Sequence, residues 1–166
     1  MHNELTKIDI QKINEEIEER KAMNPKLREE VKRTRAFGDL SENDEDRSAK
    51  REFNKNQSRI RYLQNMLETA VVIDDKSEDG VVGLFDEVEV YYPDDDETNT
   101  IRIVTTLRND VLNGLISKES PFGKAVLGHR VGDKVTVQVN EKVSYEVEIR
   151  SIKKMDDDPT LPIQKY

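Results

Sequence analysis

The sequence predicts an α+β fold in two parts. Residues 1–73 form an N-terminal antiparallel coiled-coil helical hairpin, residues 74–155 a small antiparallel sheet domain, and residues 156–166 a tail without fixed structure. Three observations predict this. Hydrophobic residues make up 34% of the chain and charged residues 37%. So small an apolar share cannot fill one large core, but it suits a hairpin that buries a narrow seam beside one small globular unit. The apolar residues recur at heptad spacing up to about residue 70. Beyond that point the apolar period becomes two, which is the period of strands.

The first helix spans residues 5–36. Ile10, Ile17 and Val31 form one heptad series, and Ile13 and Leu27 the other. Arg20, Asn24 and Thr34 fill the remaining seam positions. Pro25 predicts a kink or a short break. The second helix spans residues 43–70, with Ala49, Asn56, Leu63 and Ala70 in one series and Phe53, Ile60 and Leu67 in the other. Phe37 to Ser41 is long enough only for a tight turn, so the two helices run antiparallel. Each buries its stripe on the other, since neither is stable alone.

Strands follow at Val88–Tyr92, Thr100–Val104, Lys134–Val139 and Ser144–Ile149, where apolar and polar residues alternate. Polar turns at Pro93–Glu97, Gly132–Asp133 and Asn140–Glu141 separate them. Residues 108–115 and 121–127 read as short helical or irregular links. The run Asp156-Asp157-Asp158-Pro159 predicts a disordered end.

Composition narrows the chemistry. There is no cysteine, so disulfides, thiolate metal sites and a cysteine nucleophile are excluded. No apolar run reaches the 18 or so residues of a membrane span, and the N-terminus lacks a signal-peptide core. A cytoplasmic location is expected. Charges cancel over residues 1–73, so the net charge of −8 resides in residues 74–166. That half has no basic footprint for nucleic acid.

The stretch Gly38–Asp46 carries Asp39, Glu42, Asp44, Glu45 and Asp46 where one helix turns into the next. Ser41 and Asp44 have capping-box spacing, and carboxylates suit a helix N-terminus. A soluble, well-capped tip is the plain reading. Mutual repulsion among five carboxylates instead favours a cation as partner, and hard divalent ions take carboxylate oxygens. Basic residues flank the tip, with Lys26, Arg28, Lys32, Arg33 and Arg35 before it and Arg47, Lys50, Arg51, Lys55, Arg59 and Arg61 after it. An acidic head on a basic stem suits phosphates along the stem and a metal at the end.

Gly38-Asp39-Leu40-Ser41-Glu42-Asn43, followed by Ala49-Lys50, resembles the tip of the Gre family of bacterial transcription elongation factors. The run Asn113–Gly128, with Ser117-Lys118-Glu119-Ser120-Pro121 inside it, resembles that family's C-terminal signature, and Val131–Val135 and Tyr145–Ile149 follow in order. The resemblance implies an antiparallel coiled coil followed by an FKBP-like domain. It also implies a monomeric accessory factor, not an enzyme by itself, that enters the secondary channel of bacterial RNA polymerase. There it stimulates cleavage of the backtracked RNA 3′ end by the polymerase's own site. Asp39 and Glu42 match the family's catalytic pair and would hold Mg2+ shared with polymerase, with none bound tightly to the protein alone. Asn43, Asp44, Glu45 and Asp46 would shape the tip. Ser117, Glu119, Ser120, Pro121 and Gly123 would dock on polymerase, and Arg33, Arg35, Arg47, Lys50 and Arg51 form the basic stem. Position 46 is aromatic in most relatives and aspartate here. That supports an alternative: a Gre-like channel-binding regulator that inhibits or modulates polymerase without cleaving RNA.

Three other readings are weaker. Residues 75–86 mimic an EF-hand loop, but Asp86 stands where glutamate is needed and a strand pattern follows. Prolyl isomerase chemistry needs an aromatic-lined pocket, and the chain has no tryptophan. His129, beside Gly128, reads as a surface residue.

Overall fold

The structure, a computed structural model, describes the backbone of residues 3–36 and 44–166 and the side chains of all of these except 44–46. Two compact units divide the chain. One comprises Asn3 and Ile10–Ala70 with Tyr166, and the other Glu4–Asp9 with Val71–Lys165.

Helices α1 (Lys7–Ala36) and α2 (Asp44–Glu68) form the first unit. Ile13, Ile17, Ala49, Ile60, Leu63 and Met66 are buried in their seam. The heptad reading is right for Ala49, Asn56, Ile60 and Leu63, while Met66 takes the buried place expected of half-buried Leu67. The polar seam residues bond to one another. Asn56 donates to the Arg20 carbonyl and to Asn24 Oδ1, both at 2.8 Å. Arg59 donates to Glu16 Oε2 at 2.7 Å and Oε1 at 3.2 Å. Sequence numbers rise on one helix as they fall on the other, so the pair is antiparallel. The helix continues through Pro25 without a short break, one of the two expectations there. Pro25 and Lys21, whose carbonyl loses its donor, both sit on the exposed face. On that face the carbonyl is not forced into an unsatisfied buried place, and the seam on either side holds the helix.

The second unit is a five-stranded sheet in the order β5-β4-β3-β7-β6, formed by β3 (Glu87–Tyr92), β4 (Glu97–Val104), β5 (Leu115–Ser117), β6 (Lys134–Gln138) and β7 (Ser144–Lys153). Period-two alternation sends Val88, Val90, Val135, Val137, Val147 and Ile149 inward. Helix α3 (Pro121–Val126) adds Val126 to the core. A two-stranded ribbon pairs β1 (Asn3–Leu5) with β2 (Ala70–Val72).

Two expectations are corrected here. The sheet is mixed, because β5 runs parallel to β4 with Arg102 opposite Leu115. The chain crosses back through 3-10 turns at Thr106–Arg108 and Val111–Asn113, and a three-residue strand is too short to show alternation. The tail also takes a fixed place. Asp157 is 8% exposed, and the Gln164 N–H donates to the Leu107 carbonyl at 2.8 Å. Its acidic run supplies acceptors that a buried cation requires.

Candidate functional site

Asp39, Glu42 and Asn43 lie outside the described residues, as does Ser41. Asp44, Glu45 and Asp46 open α2, and their side chains are likewise outside the description. Connectivity alone therefore sets the acidic stretch: it joins the end of α1 to the start of α2.

On the stem, Arg35, Arg47 and Arg51 are exposed and Lys50 is half-buried. Arg47, Lys50 and Arg51 are spaced i, i+3 and i+4, so they share one face of α2. Arg33 bonds Glu30 at 2.5 Å, and the Arg33 hydrogen bond holds the Glu30 carboxyl below its ordinary value. Both groups face water, where such a pair adds little stability.

The segment from Ser117 to Gly123 is held by its own hydrogen bonds. Ser117 Oγ lies 2.7 Å from Thr106 Oγ1 and accepts from the Glu119 N–H at 3.1 Å. Ser120 caps α3: its Oγ donates to the Ser117 carbonyl at 2.7 Å and accepts from the Gly123 N–H at 3.0 Å. Pro121 opens the helix, where no N–H is needed. A Cβ on Gly123 would fall 2.2 Å from the Ser117 carbonyl oxygen. Ser117 and Gly123 are buried, so they shape the loop, whereas Glu119 and Pro121 are presented outward. Lys118 ion-pairs with Glu4, and its ammonium lies 3.6 Å from Glu119.

Sequence reasoning missed the largest fully buried side chain among the described residues, and it is a charged one. Arg108 is 0% exposed and stacks on Phe85 at 5.3 Å. Its Nε donates to Asp9 Oδ1 at 2.8 Å and its Nη2 to Asp157 Oδ1 at 2.7 Å. No local motif marks it, since these partners lie 99 and 49 residues away. Of the EF-hand mimic, Asp86 is buried and accepts from Lys154 Nζ at 2.5 Å, while Asp75 accepts from the Asp157 N–H at 2.7 Å. Those carboxylates serve packing. His129 is exposed, 3.2 Å from Asp133.

The chain is similar in sequence to known proteins. The family model "Transcription elongation factor, N-terminal" matches residues 3–72. The model "Transcription elongation factor, GreA/GreB, C-term" matches residues 76–154. The transcription elongation factor GreA of Geobacillus kaustophilus is 43% identical over 136 residues, which is 81% of this chain and 86% of the relative. That of Oenococcus oeni is 40% identical over 131 residues, 78% of this chain and 81% of the relative. A solved structure of the transcription factor Gfh1 covers 92% of this chain and 97% of its own, at 27% identity and a TM-score of 0.46.

Proposed function

Since the chain belongs to the GreA/GreB family of transcription elongation factors, we propose that it enters the secondary channel of cytoplasmic RNA polymerase and stimulates cleavage of backtracked RNA 3′ ends. One observation carries this reading. Both family models match in order, and in sequence Gly38–Asn43 lies between the end of α1 and the start of α2.

The chain's residues divide the work. Glu119 and Pro121, on a loop stiffened by Ser117, Ser120 and Gly123, present a rigid surface to polymerase. Exposed Arg35, Arg47 and Arg51 attract phosphates along the stem. Asp39 and Glu42 are hard oxygen donors of the kind Mg2+ takes, and two carboxylates with open positions fit an ion shared with another protein better than one held tightly alone. When bound, Mg2+ supplies a water made more acidic and a charge opposite the reacting phosphodiester. Asp39 and Glu42 orient that water, and the polymerase's own residues complete the site. The factor is thus an accessory, and the hydrolysis belongs to the polymerase.

The test is a stalled, backtracked elongation complex with matched polymerase. Faster release of 3′ fragments, lost in Asp39→Asn with binding unchanged, is the expected result. Position 46 favours one second reading. Asp44, Glu45 and Asp46 put three acids in the first turn of α2 and no ring to stack on a displaced base. Slowed elongation without cleavage at the same dose would establish that reading instead.

A further inference from the structure

The seam of the hairpin unit holds a hydrogen-bond network that apolar packing does not require. Asn56 is 3% exposed and donates to two acceptors on α1, the Arg20 carbonyl and Asn24 Oδ1, while its own Oδ1 accepts from Arg20 Nη1 at 3.2 Å. Arg20 Nε also donates to Glu16 Oε2 at 2.8 Å, and Glu16 takes both bonds from the equally buried Arg59. Every residue of the network lies within Ile10–Ala70, a single unit. Apolar burial is uneven on its two sides. Ile13, Ile17, Ile60, Leu63 and Met66 are buried on one side, and among the described residues Ala49 alone on the other. On that second side Leu27, Val31 and Phe53 are only half-buried, and a groove of about 350 Å³ opens between Leu27 and Glu30 of α1 and Ala49 and Glu52 of α2.

We propose that Asn56 is a positioning residue that pins the register of the two hairpin helices. The apolar seam repeats at heptad spacing, so apolar contact alone is met again after a slip of seven residues. Asn56 breaks that repeat. A slip of one heptad replaces Arg20 and Asn24 opposite it with Leu27 and Val31 in one direction, and with Ile13 and Ile17 in the other. Neither pair has a polar side chain, so one donor and the oxygen of the Asn56 amide would be stranded in the seam. In the slip toward Leu27, Arg59 also exchanges Glu16 for Met23. A single polar residue at a seam position specifies register in this way, at a cost in stability. Register bears on the cleavage reading, on which this inference rests. One heptad is ~10 Å of helix, so a slip moves the two helix ends that the acidic stretch joins by that much relative to one another. A misplacement of ~1 Å can cost ~10²-fold in rate.

The test needs a readout independent of polymerase. The chain has no cysteine, so exposed Glu29 of α1 and Asn54 of α2 can be replaced by cysteine and spin-labelled in the full-length protein, and both labels lie in the hairpin unit. Asn56→Leu continues the apolar repeat and leaves half-buried Arg20 and Asn24 to water. It is expected to melt no lower than the wild-type factor and to add a second inter-label distance to the single one of the wild type. It should also lower cleavage at saturating factor by roughly tenfold or more, with the concentration for half-maximal effect within about twofold. A merely structural residue would not combine kept stability with lost activity. Asn24→Ala removes one acceptor and disturbs the seam less, and should show the same second distance at lower population. The control is Ile60→Val, which weakens the same seam without touching the network; it should melt lower and keep one distance. A single distance in both network variants, or the same second distance in Ile60→Val, would overturn the proposal. If the wild-type factor stimulates no cleavage, the proposed function fails and the inter-label distances alone decide the register.

Discussion

At Gly123 the chain has no room for a side chain. The nearest contact of an added Cβ is backbone, the Ser117 carbonyl at 2.2 Å, which cannot swing aside as a flexible side chain would. Gly123→Ala should therefore cost about 1–3 kcal/mol, as overpacking does, and distort the turn that presents Glu119. Chemical denaturation measures the first effect, and polymerase binding the second. An unperturbed stability would mean that the loop relaxes freely and is not the rigid surface described above. Thr105 has the opposite problem. Its side chain is buried, and its hydroxyl has no hydrogen-bond partner among the described residues. Thr105→Val keeps the shape and removes the stranded polar atom, so it should stabilise the sheet unit by ~1 kcal/mol. A loss of stability would show that the hydroxyl has a partner, such as a bound water. Neither effect is legible in the sequence. Gly123 stands out only as part of a signature and Thr105 not at all, because both depend on what tertiary packing brings alongside.

The hairpin shows how much of an element its sequence declares. Ile13, Ile17, Ile60 and Leu63 are buried where the heptads put them, since a coiled-coil seam is a local, periodic property. Arg20, Asn24 and Asn56 look like seam defects in sequence, yet together with Glu16 and Arg59 they form a polar layer with a definite register. Periodicity reports that a position faces the partner helix but not which polar atoms meet there. The acidic stretch is legible as a motif between the two helical patterns. Within the layer, burial raises the Glu16 carboxyl pKa, but hydrogen bonds and charge from Arg59 and Arg20 outweigh it and hold the group below its ordinary value. A depressed carboxylate contributes stability that is present above its unfolded pKa of about 4.3 and is lost as pH falls through the folded value. Hairpin stability should thus decline on acidification below about pH 4. Glu16→Gln should flatten that decline while lowering stability near neutrality, because Arg59 is only 4% exposed and would lose its charged partner. Helical circular dichroism against denaturant at several pH values reads both. A slope identical in the two proteins would reassign the acid sensitivity to other carboxylates.

Across the whole molecule, the C-terminal segment changes role between sequence and structure. An acidic, proline-containing end looks disordered when only local composition is considered. Its fixed place follows from Arg108, a cation in an aperiodic link whose requirement for acceptors no pattern announces. Long-range charge pairing of this kind is the part of the fold that the sequence alone does not disclose. A chain ending at Asp156 tests it. Arg108 would keep Asp9 but lose Asp157 and the carbonyls of Asp158 and Leu161, leaving most of a buried guanidinium without acceptors. Breaking a buried pair on one side costs about 3–5 kcal/mol, and for a chain of this size each kcal/mol shifts Tm by about 2–4 °C. The truncated protein should therefore melt roughly 10 °C lower, provided both units are followed in the same scan. Replacing the buried pair together, Arg108→Met with Asp9→Asn so that neither charge is left alone, should recover part of that loss in the truncated chain and destabilise the full-length one. Recovery only in the truncated chain would show that the tail stabilises by satisfying Arg108, not by general burial. A truncated protein with the melting temperature of the whole would mean that Asp157 is a passenger on the sheet unit.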